Sequence, residues 1–419
     1  MAFLWMLTAS AAAQVLVGMT DTATYFPRLE GRRVAVLANQ TSVAAMPGAA
    51  GADASGCVHL VDLLHERGFD LTGIFSPEHG FRGTADAGEH VGNSRDAKTG
   101  IPIRSLYDGG SGRPSMETMR TFDVLVIDLQ DVGLRFYTYY ITMLRLMDAA
   151  ADAGREVILL DRPNPNGDKV EGPLLDMKYR SGVGALPIPV LHGMTLGEIA
   201  LMARGEGWAK SGTLTVVRCR NYTHATEYTL PVAPSPNLPT QRAIYLYAAL
   251  CPFEGTVVSL GRGTDLPFEC YGHPDLKDRN YTFTPRPTAG AKHPPLEGRL
   301  CRGVDLREMP LDEARQVGFS LRYVIDAYHD LEALGDGFFT PMFEKPVGAD
   351  LGIGSRRVYP LPSPARRQPF VCPRPAHISS QRPPPLPRMP STTARCLQHP
   401  PPPPPPLAPS PPPAHSRTP

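Results

Sequence analysis

The chain has 419 residues and a formal net charge of +1, and its 47 prolines are concentrated toward the C-terminal end. The segment from Gly354 to Pro419 holds 23 prolines and nine arginines but no lysine, aspartate or glutamate, so the preceding 353 residues carry a net charge of −8. This acidic body argues against nucleic-acid binding, which needs a basic surface. No uncharged apolar run after the N-terminus reaches the roughly 18 residues of a transmembrane helix, so we expect no membrane span.

The N-terminal residues resemble an export signal. Residues 1–19 carry no charge, and an apolar run at 3–7 is followed by three alanines at 11–13. An apolar run before small residues is typical of a cleavable signal, although the basic segment that usually precedes the run is missing. We therefore interpret residues 1–13 as a signal segment and expect a secreted or periplasmic protein. The alternative is a first buried strand in a cytoplasmic protein.

Alternating strand and helix patterns predict the fold of the body. Apolar runs rich in Val, Ile and Leu predict strands at 33–38, 71–75, 123–128, 156–160 and 214–217, with helices at 58–67, 140–153 and 195–204 between them. Thr195 followed by Glu198 is a capping box that starts the last helix. Such βαβ units form parallel sheets covered on both faces. We predict an α/β fold, with a Rossmann-like parallel-sheet domain at 14–250 and a smaller α+β domain at 251–352. The smaller domain is expected to begin with a strand or turn at 256–260 and to include a helical stretch at 311–333.

The last segment, 353–419, predicts disorder, because its polyproline cannot form a helix or a central strand and its apolar content is too low for a core. From Ser355 onward the segment lacks Gly, Lys, Asp, Glu and Asn. That bias is typical of a GC-rich gene read out of frame, so we hypothesise a frameshift near residues 346–355. The second domain would then lack its last element, and the chain is expected to be unstable.

Polar residues follow four of the predicted strands. Asn39 and Gln40 follow the first, Glu78 and His79 the second, and Gln130 and Asp131 the third, while the fourth leads into DRPNP at 161–165. Because the carboxyl ends of parallel strands lie at one edge, where ligands bind, we expect these loops to form a site. The chain has neither a G-x-G-x-x-G nor a P-loop motif, and its histidines lack metal-ligand spacing. We therefore expect no cofactor and no metal.

Taken together, the loops resemble a known bacterial family. The matching motifs are SPEHGFRG at 76–83, DLQDVGLRFYTY at 128–139, LDRPNP at 160–165, HGMTLGE at 192–198, PSPNLPT at 234–240, and EGT, GRGT and PFE between 254 and 269. They are similar in sequence and order to the exo-β-N-acetylmuramidases, over residues 15–351. The resemblance implies a Rossmann-like domain, a smaller C-terminal domain and an active site between them. It also implies release of terminal N-acetylmuramic acid from the non-reducing end of peptidoglycan fragments in cell-wall turnover.

Glycoside hydrolysis needs a carboxylic acid that protonates the leaving oxygen and a second group that acts at the anomeric carbon. Glu78 is the candidate acid, since it follows a strand end and lies between apolar Phe75 and Phe81. Asp131 and Glu89 compete for the second role. A third alternative is that the acetamido group of the substrate is the nucleophile and that Asp131 orients it.

Further residues are candidates for binding muramyl saccharides. Arg135 suits the lactyl carboxylate, because guanidinium binds carboxylate through two hydrogen bonds, while Tyr137 and Tyr139 suit stacking on a sugar ring. The remaining candidates are Asn39, Gln40, His79, Arg82, Gln130, Asn237 and Arg262. The alternative function is a non-catalytic peptidoglycan- or sugar-binding protein that uses the same cleft. The oligomeric state and the retaining or inverting outcome do not follow from the sequence.

Overall fold

The computed structural model describes residues 13–46, 56–77, 80–81, 94–106, 113–276 and 279–343. The strands are β1 Arg33–Ala38, β2 Val43–Ala45, β3 Cys57–His59, β4 Asp70–Ser76, β5 Ser94–Arg95, β6 Pro102–Ser105, β7 Val124–Asp128, β8 Glu156–Leu160, β9 Leu214–Val217, β10 Cys270–His273, β11 Tyr281–Phe283 and β12 Cys301–Asp305. The helices are α1 Thr22–Leu29, α2 Leu60–Glu66, α3 Met116–Met119, α4 Tyr139–Asp152, α5 Leu196–Gly205, α6 Gln241–Leu250, α7 Leu311–Val317 and α8 Arg322–Asp330.

A mostly parallel sheet forms the centre of the first domain. Within the described residues its seven strands have the order β5-β6-β4-β1-β7-β8-β9, and only the edge pair β5–β6 is antiparallel. β1 pairs in parallel with both β4 and β7, and β7 pairs in parallel with β8. The carboxyl ends of β4, β1, β7 and β8 are therefore neighbours along one edge. The α/β prediction is confirmed.

Apolar side chains cover both faces of this sheet. Along β1, Val34, Val36 and Ala38 point into one core cluster, which includes residues of α1 and α2. Ala35 and Leu37 point into the other cluster, with residues of α4, α5 and α6. This alternation follows from the two-residue period of a strand. Burial on both faces explains why β1 reads as a continuous apolar run.

The smaller domain has a three-stranded antiparallel sheet, β10-β12-β11, followed by α7 and α8. It packs on α6, where Arg242 Nη1 donates to the buried carboxylate of Glu269 at 2.9 Å. The described chain ends in the core of this domain, since Phe343 is buried and Thr340 donates its backbone N–H to Gly255. Among the described residues, no helix is long and apolar enough to cross a membrane.

The structure corrects two of the predicted elements. The helix expected at 58–67 begins only at Leu60, because residues 57–59 pair with β2 as strand β3. The helical stretch expected at 311–333 divides after Val317, where Gly318 adopts a φ of +57°. The strand or turn expected at 256–260 forms single bridges at Thr256 and Ser259. The tail at 353–419, the proposed break near 346–355 and residues 1–12 of the signal segment lie outside the described residues.

Candidate active site

The loops after β1 and β7 are joined by hydrogen bonds at the carboxyl edge of the sheet. Asn39 is fully buried, and its Oδ1 accepts from the backbone N–H of Thr41 at 3.0 Å. Thr41 Oγ1 in turn accepts from the backbone N–H of Gln130 at 3.1 Å. Asn39 Nδ2 donates to the hydroxyl of Tyr139 at 2.9 Å. The Asn39 side chain therefore organises the loops, and its predicted contact with substrate stays a prediction.

Tyr137, Tyr139 and Gln40 meet at one backbone carbonyl. The two tyrosine hydroxyls donate to the oxygen of Pro234 at 2.9 and 3.0 Å, and Gln40 Nε2 donates to the same oxygen at 3.1 Å. The tyrosine rings are 4.6 Å apart and inclined at 60°. These bonds attach the PSPN segment to the sheet edge. The predicted stacking of the two rings on a sugar stays a prediction.

Asp131 is a buried carboxylate at this edge of the sheet. Its Oδ1 accepts from the backbone N–H of Gly133 at 2.8 Å, whereas its buried Oδ2 has no hydrogen-bond partner in the described part of the chain. Gly133 has a φ of +83° and lies against Asn164, so a side chain would be strained there and would strike that residue. Burial raises the pKa of Asp131 to about 7, although the backbone donors oppose this change. A carboxyl that titrates near neutrality suits acid–base catalysis.

His192 lies beside Asp131 and is not among the residues predicted from the sequence to form the site. Its Nε2 is 4.0 Å from Asp131 Oδ1, and its Nδ1 accepts from the backbone N–H of Met194 at 3.2 Å. Burial, aided by the positive charge of Arg135, lowers the pKa of His192 to about 3. The ring is therefore neutral. The available signal was its position in the HGMT segment, immediately before the capping box of α5.

Several polar atoms at this edge lack hydrogen-bond partners among the residues that the structure describes. Gln130 Nε2 donates to the backbone oxygens of Asp131 and Pro163 at 2.8 and 2.7 Å, but its Oε1 is buried and unpaired. The same holds for Gln40 Oε1 and His192 Nε2. Buried polar groups normally have hydrogen-bond partners. Within the described residues, these unsatisfied acceptors and a donor therefore mark this edge of the sheet as the candidate active site.

Arg135 lies deeper than its predicted role suggests. It is fully buried, and its Nη1 donates to the backbone oxygens of Pro173 and Ile188, both at 2.7 Å. Burial lowers its pKa to about 10, so the guanidinium still carries its charge at neutral pH. These bonds hold the segment before His192 in place. The predicted contact with a lactyl carboxylate stays a prediction.

Two other candidates, Arg262 and Asn237, bind residues of the second domain. Arg262 forms an ion pair with Glu254 and lies over the ring of Phe268. Asn237 is buried and donates from Nδ2 to the backbone oxygen of Gly290 at 2.7 Å. Both side chains are therefore engaged within the protein. Glu78, His79, Arg82 and Glu89 lie outside the described residues.

Comparisons with known proteins identify the family to which this chain belongs. A family model described as the N-terminal part of the exo-beta-N-acetylmuramidase NamZ matches residues 34–242, and the corresponding C-terminal model matches residues 245–358. The chain belongs to the exo-β-N-acetylmuramidase family. It is 39% identical over 342 residues to the peptidoglycan beta-N-acetylmuramidase NamZ of Bacillus subtilis, covering 75% of this chain and 78% of that protein. The family resemblance read from the motifs is thereby confirmed.

Two solved structures from Bacteroides fragilis share the fold of this exo-β-N-acetylmuramidase family member. Both are described as DUF1343 family proteins. One is 52% identical with a TM-score of 0.72, and the match covers 81% of this chain and 90% of that chain. The other is 27% identical with a TM-score of 0.65, covering 80% and 89%.

The described residues of this family member contain no group of three His, Cys, Asp or Glu side chains arranged to hold a metal ion. Asp128 is the last residue of β7 and lies just before Gln130 and Asp131. Its carboxylate is paired with the guanidinium of Arg162. Arg162 donates from Nε and Nη2 to its two carboxylate oxygens at 2.5 and 2.9 Å, and both side chains are almost fully buried.

The raised pKa of Asp131 predicts a pH-dependent stability in this family member. A folded-state pKa of about 7, against an ordinary value of 3.8, means that folding favours the protonated form. The resulting contribution to the free energy of unfolding is fully present below about pH 4 and is lost as the pH rises through 7. Asparagine imitates the neutral carboxyl. We expect Asp131→Asn to match the wild type near pH 4 and to exceed it at pH 8 by a few kcal/mol, at about 1.4 kcal/mol per unit.

Urea unfolding of both proteins at pH 4.5, 6 and 8 measures this difference. His192 has the opposite effect, because its lowered pKa supplies stability above about pH 6.5 that is lost as the pH falls toward 3. Since both proteins contain His192, its contribution cancels in the difference between them. A difference in free energy that does not change with pH would contradict the assigned pKa.

Proposed function

We propose that this chain is an exo-β-N-acetylmuramidase that releases terminal N-acetylmuramic acid from the non-reducing end of peptidoglycan fragments. The two family models, which match both domains in order, carry the proposal. The buried carboxylate of Asp131 at the carboxyl edge of the sheet supports it. Membership of the family supports glycosidase activity, and the exo mode and the specificity for muramic acid are proposed in addition.

The proposed chemistry assigns Glu78 as the acid that protonates the leaving oxygen. Asp131 then acts at the anomeric centre, either as a base or by orienting the acetamido group of the substrate. With a pKa of about 7, Asp131 is partly ionised at neutral pH and can exchange a proton within the working range. Glu89 stays the alternative to Asp131.

The proposed setting is cell-wall turnover outside the cytoplasm. Peptidoglycan is extracytoplasmic, and the uncharged apolar N-terminal segment ending in small residues is consistent with export. Comparison of the N-terminus of the protein recovered from cells with that of the gene product tests this point. A mature protein that begins near Gln14 would support export, whereas an intact Met1 in the cytoplasm would contradict it.

The assay for the proposal uses a chromogenic β-N-acetylmuramide, with the matching β-N-acetylglucosaminide as the specificity control. We expect turnover of the muramide and a Glu78→Gln variant with kcat lowered by about 10²–10⁴-fold, the usual contribution of acid catalysis. Glu66→Gln, an exposed residue at the end of α2, is the matched control and should keep full activity. Equal activity of the two variants would remove Glu78 from the mechanism.

The exo mode needs a separate experiment. Peptidoglycan fragments with a non-reducing N-acetylmuramic acid are compared with fragments whose end is capped by N-acetylglucosamine. We expect free N-acetylmuramic acid from the first and no product from the second. Internal cleavage of the capped fragments would instead indicate an endo-acting enzyme. Tight binding of both without any product would favour the non-catalytic binding protein.

A further inference from the structure

The ring of His192 is held in one orientation by a hydrogen bond to the backbone. Its Nδ1 accepts a hydrogen bond from the backbone N–H of Met194 at 3.2 Å, so that nitrogen carries no proton. The side chain is fully buried and its ring is neutral. The single ring proton therefore lies on Nε2. That N–H has no acceptor among the described residues, and Asp131 Oδ1 lies 4.0 Å away.

Asp131 offers the complementary half of this arrangement. Gly133 donates its backbone N–H to Oδ1 at 2.8 Å, and Oδ2 has no donor in the part of the chain that the structure describes. A movement of about 1 Å would bring His192 Nε2 to the usual hydrogen-bond distance of a carboxylate oxygen. The His192 N–H is a buried donor without an acceptor among the described residues, which is costly. Asp131 Oδ1 holds one hydrogen bond, from Gly133, and a carboxylate oxygen can accept a second.

We propose that His192 is a positioning residue that donates from Nε2 to the carboxylate of Asp131 and fixes its orientation during the reaction. The proposal rests on the proposed function, because it assigns Asp131 a part in the chemistry. With His192 and the Gly133 N–H on one side of the carboxylate, the other oxygen is left for the substrate. His192 itself contacts neither substrate nor reacting atoms.

The charged and titratable groups around the pair determine how it responds to pH. Asp131 is near the hydroxyls of Tyr137 and Tyr140, both of which have pKa values raised by burial. Arg135 places a positive charge near His192. Because a donor favours the ionised form of a carboxylate, loss of the His192 N–H should raise the pKa of Asp131. The acid limb of the kcat/KM profile should then move to higher pH.

A matched pair of variants separates the two ring nitrogens. His192→Asn keeps an acceptor in the position of Nδ1, so the bond to Met194 survives, but it has no donor at Nε2. His192→Gln places an amide N–H near the position of Nε2. We expect His192→Asn to lower kcat about tenfold with KM little changed, and to move the acid limb upward by about one pH unit. His192→Gln should restore most of both.

A double-mutant cycle distinguishes positioning from general structural support. If His192 acts through Asp131, His192→Asn should lower the residual rate of Asp131→Asn by less than twofold. A wild-type pH profile in His192→Asn would overturn the proposal, as would an equal loss in both backgrounds. In these outcomes the wild type still releases N-acetylmuramic acid, so the proposed function stands.

A spectroscopic measurement keeps the proposal testable if the wild type shows no turnover or if His192→Asn does not fold. Nitrogen-15 NMR of histidine-labelled wild type reports the tautomer of each ring directly. We expect His192 in the Nε2–H form from pH 5 to 8, with its Nε2 chemical shift following a titration near pH 7 that is absent in Asp131→Asn. An Nδ1–H tautomer, a protonation of the ring itself near pH 6.5, or an Nε2 shift unaffected by Asp131→Asn would overturn the proposal.

Discussion

Asp131→Asn is expected to lower kcat on a β-N-acetylmuramide by about 10²–10⁴-fold while KM changes by only a few fold. The amide occupies the volume of the carboxyl and keeps an oxygen for the Gly133 N–H, which is 2.8 Å from Oδ1 in the wild type. It cannot exchange a proton or carry the negative charge that the anomeric centre requires. The fold is retained, so the loss should be confined to the chemical step.

Asp161→Asn is the matched control for this loss. Asp161 is also a buried carboxylate after a strand end, and burial raises its pKa to about 6. Its oxygens, however, accept from Thr195 Oγ1 at 2.7 Å and from the backbone N–H of Gly197 at 2.9 Å, at the start of α5. We expect Asp161→Asn to affect stability rather than kcat. Equal losses of kcat in the two variants would contradict the role given to Asp131.

Arg162→Met is expected to destabilise the protein by about 3–5 kcal/mol, the usual cost of leaving one member of a buried ion pair alone. Arg162 and Asp128 are 2% and 0% exposed, so water cannot replace the guanidinium. The substitution also removes the bond from Nη1 to the backbone oxygen of Val43. Since domains are stable by only about 5–15 kcal/mol, the denaturant midpoint should fall markedly.

Two further variants test whether the loss of stability depends on the burial of the ion pair. Arg307→Met breaks an ion pair with Asp305 in which the arginine side chain is 47% exposed, and should change the stability far less than Arg162→Met, because water replaces an exposed partner. The double variant Arg162→Met with Asp128→Leu removes both buried charges and should recover much of the loss. Urea midpoints with unchanged slopes measure all three. Similar losses of stability in Arg162→Met and Arg307→Met would show that breaking the buried ion pair costs no more than breaking the exposed one.

Local patterns predicted much of the fold. The strands β1, β8 and β9 begin and end at the predicted residues, and Thr195 with Glu198 forms the predicted capping box. These features depend on runs of apolar residues and on contacts three residues apart, which a sequence displays directly. The helix predicted to begin at Val58 begins only at Leu60, because residues 57–59 pair with β2, a strand more than ten residues earlier.

The candidate site was predictable only in part. Polar residues after β1 and β7 do meet at one edge, as parallel pairing of these strands requires. The sequence did not indicate that Asn39 is engaged within the protein, that both tyrosine hydroxyls donate to one backbone oxygen, or that Glu254 pairs with Arg262. The sequence offers several side chains that could form each of these hydrogen bonds or ion pairs. Only the packing of the folded chain decides which of them come into contact.

The sequence by itself determined the order of strands and helices, the family, and the loops that carry polar groups. Only the tertiary structure decided that His192 lies 4.0 Å from Asp131, sixty-one positions earlier, and that Arg162 neutralises Asp128. The reason is physical. Periodicity and capping are properties of neighbouring residues, whereas burial, and the pKa values and unpaired atoms that follow from it, depends on which distant segments exclude water from the same volume.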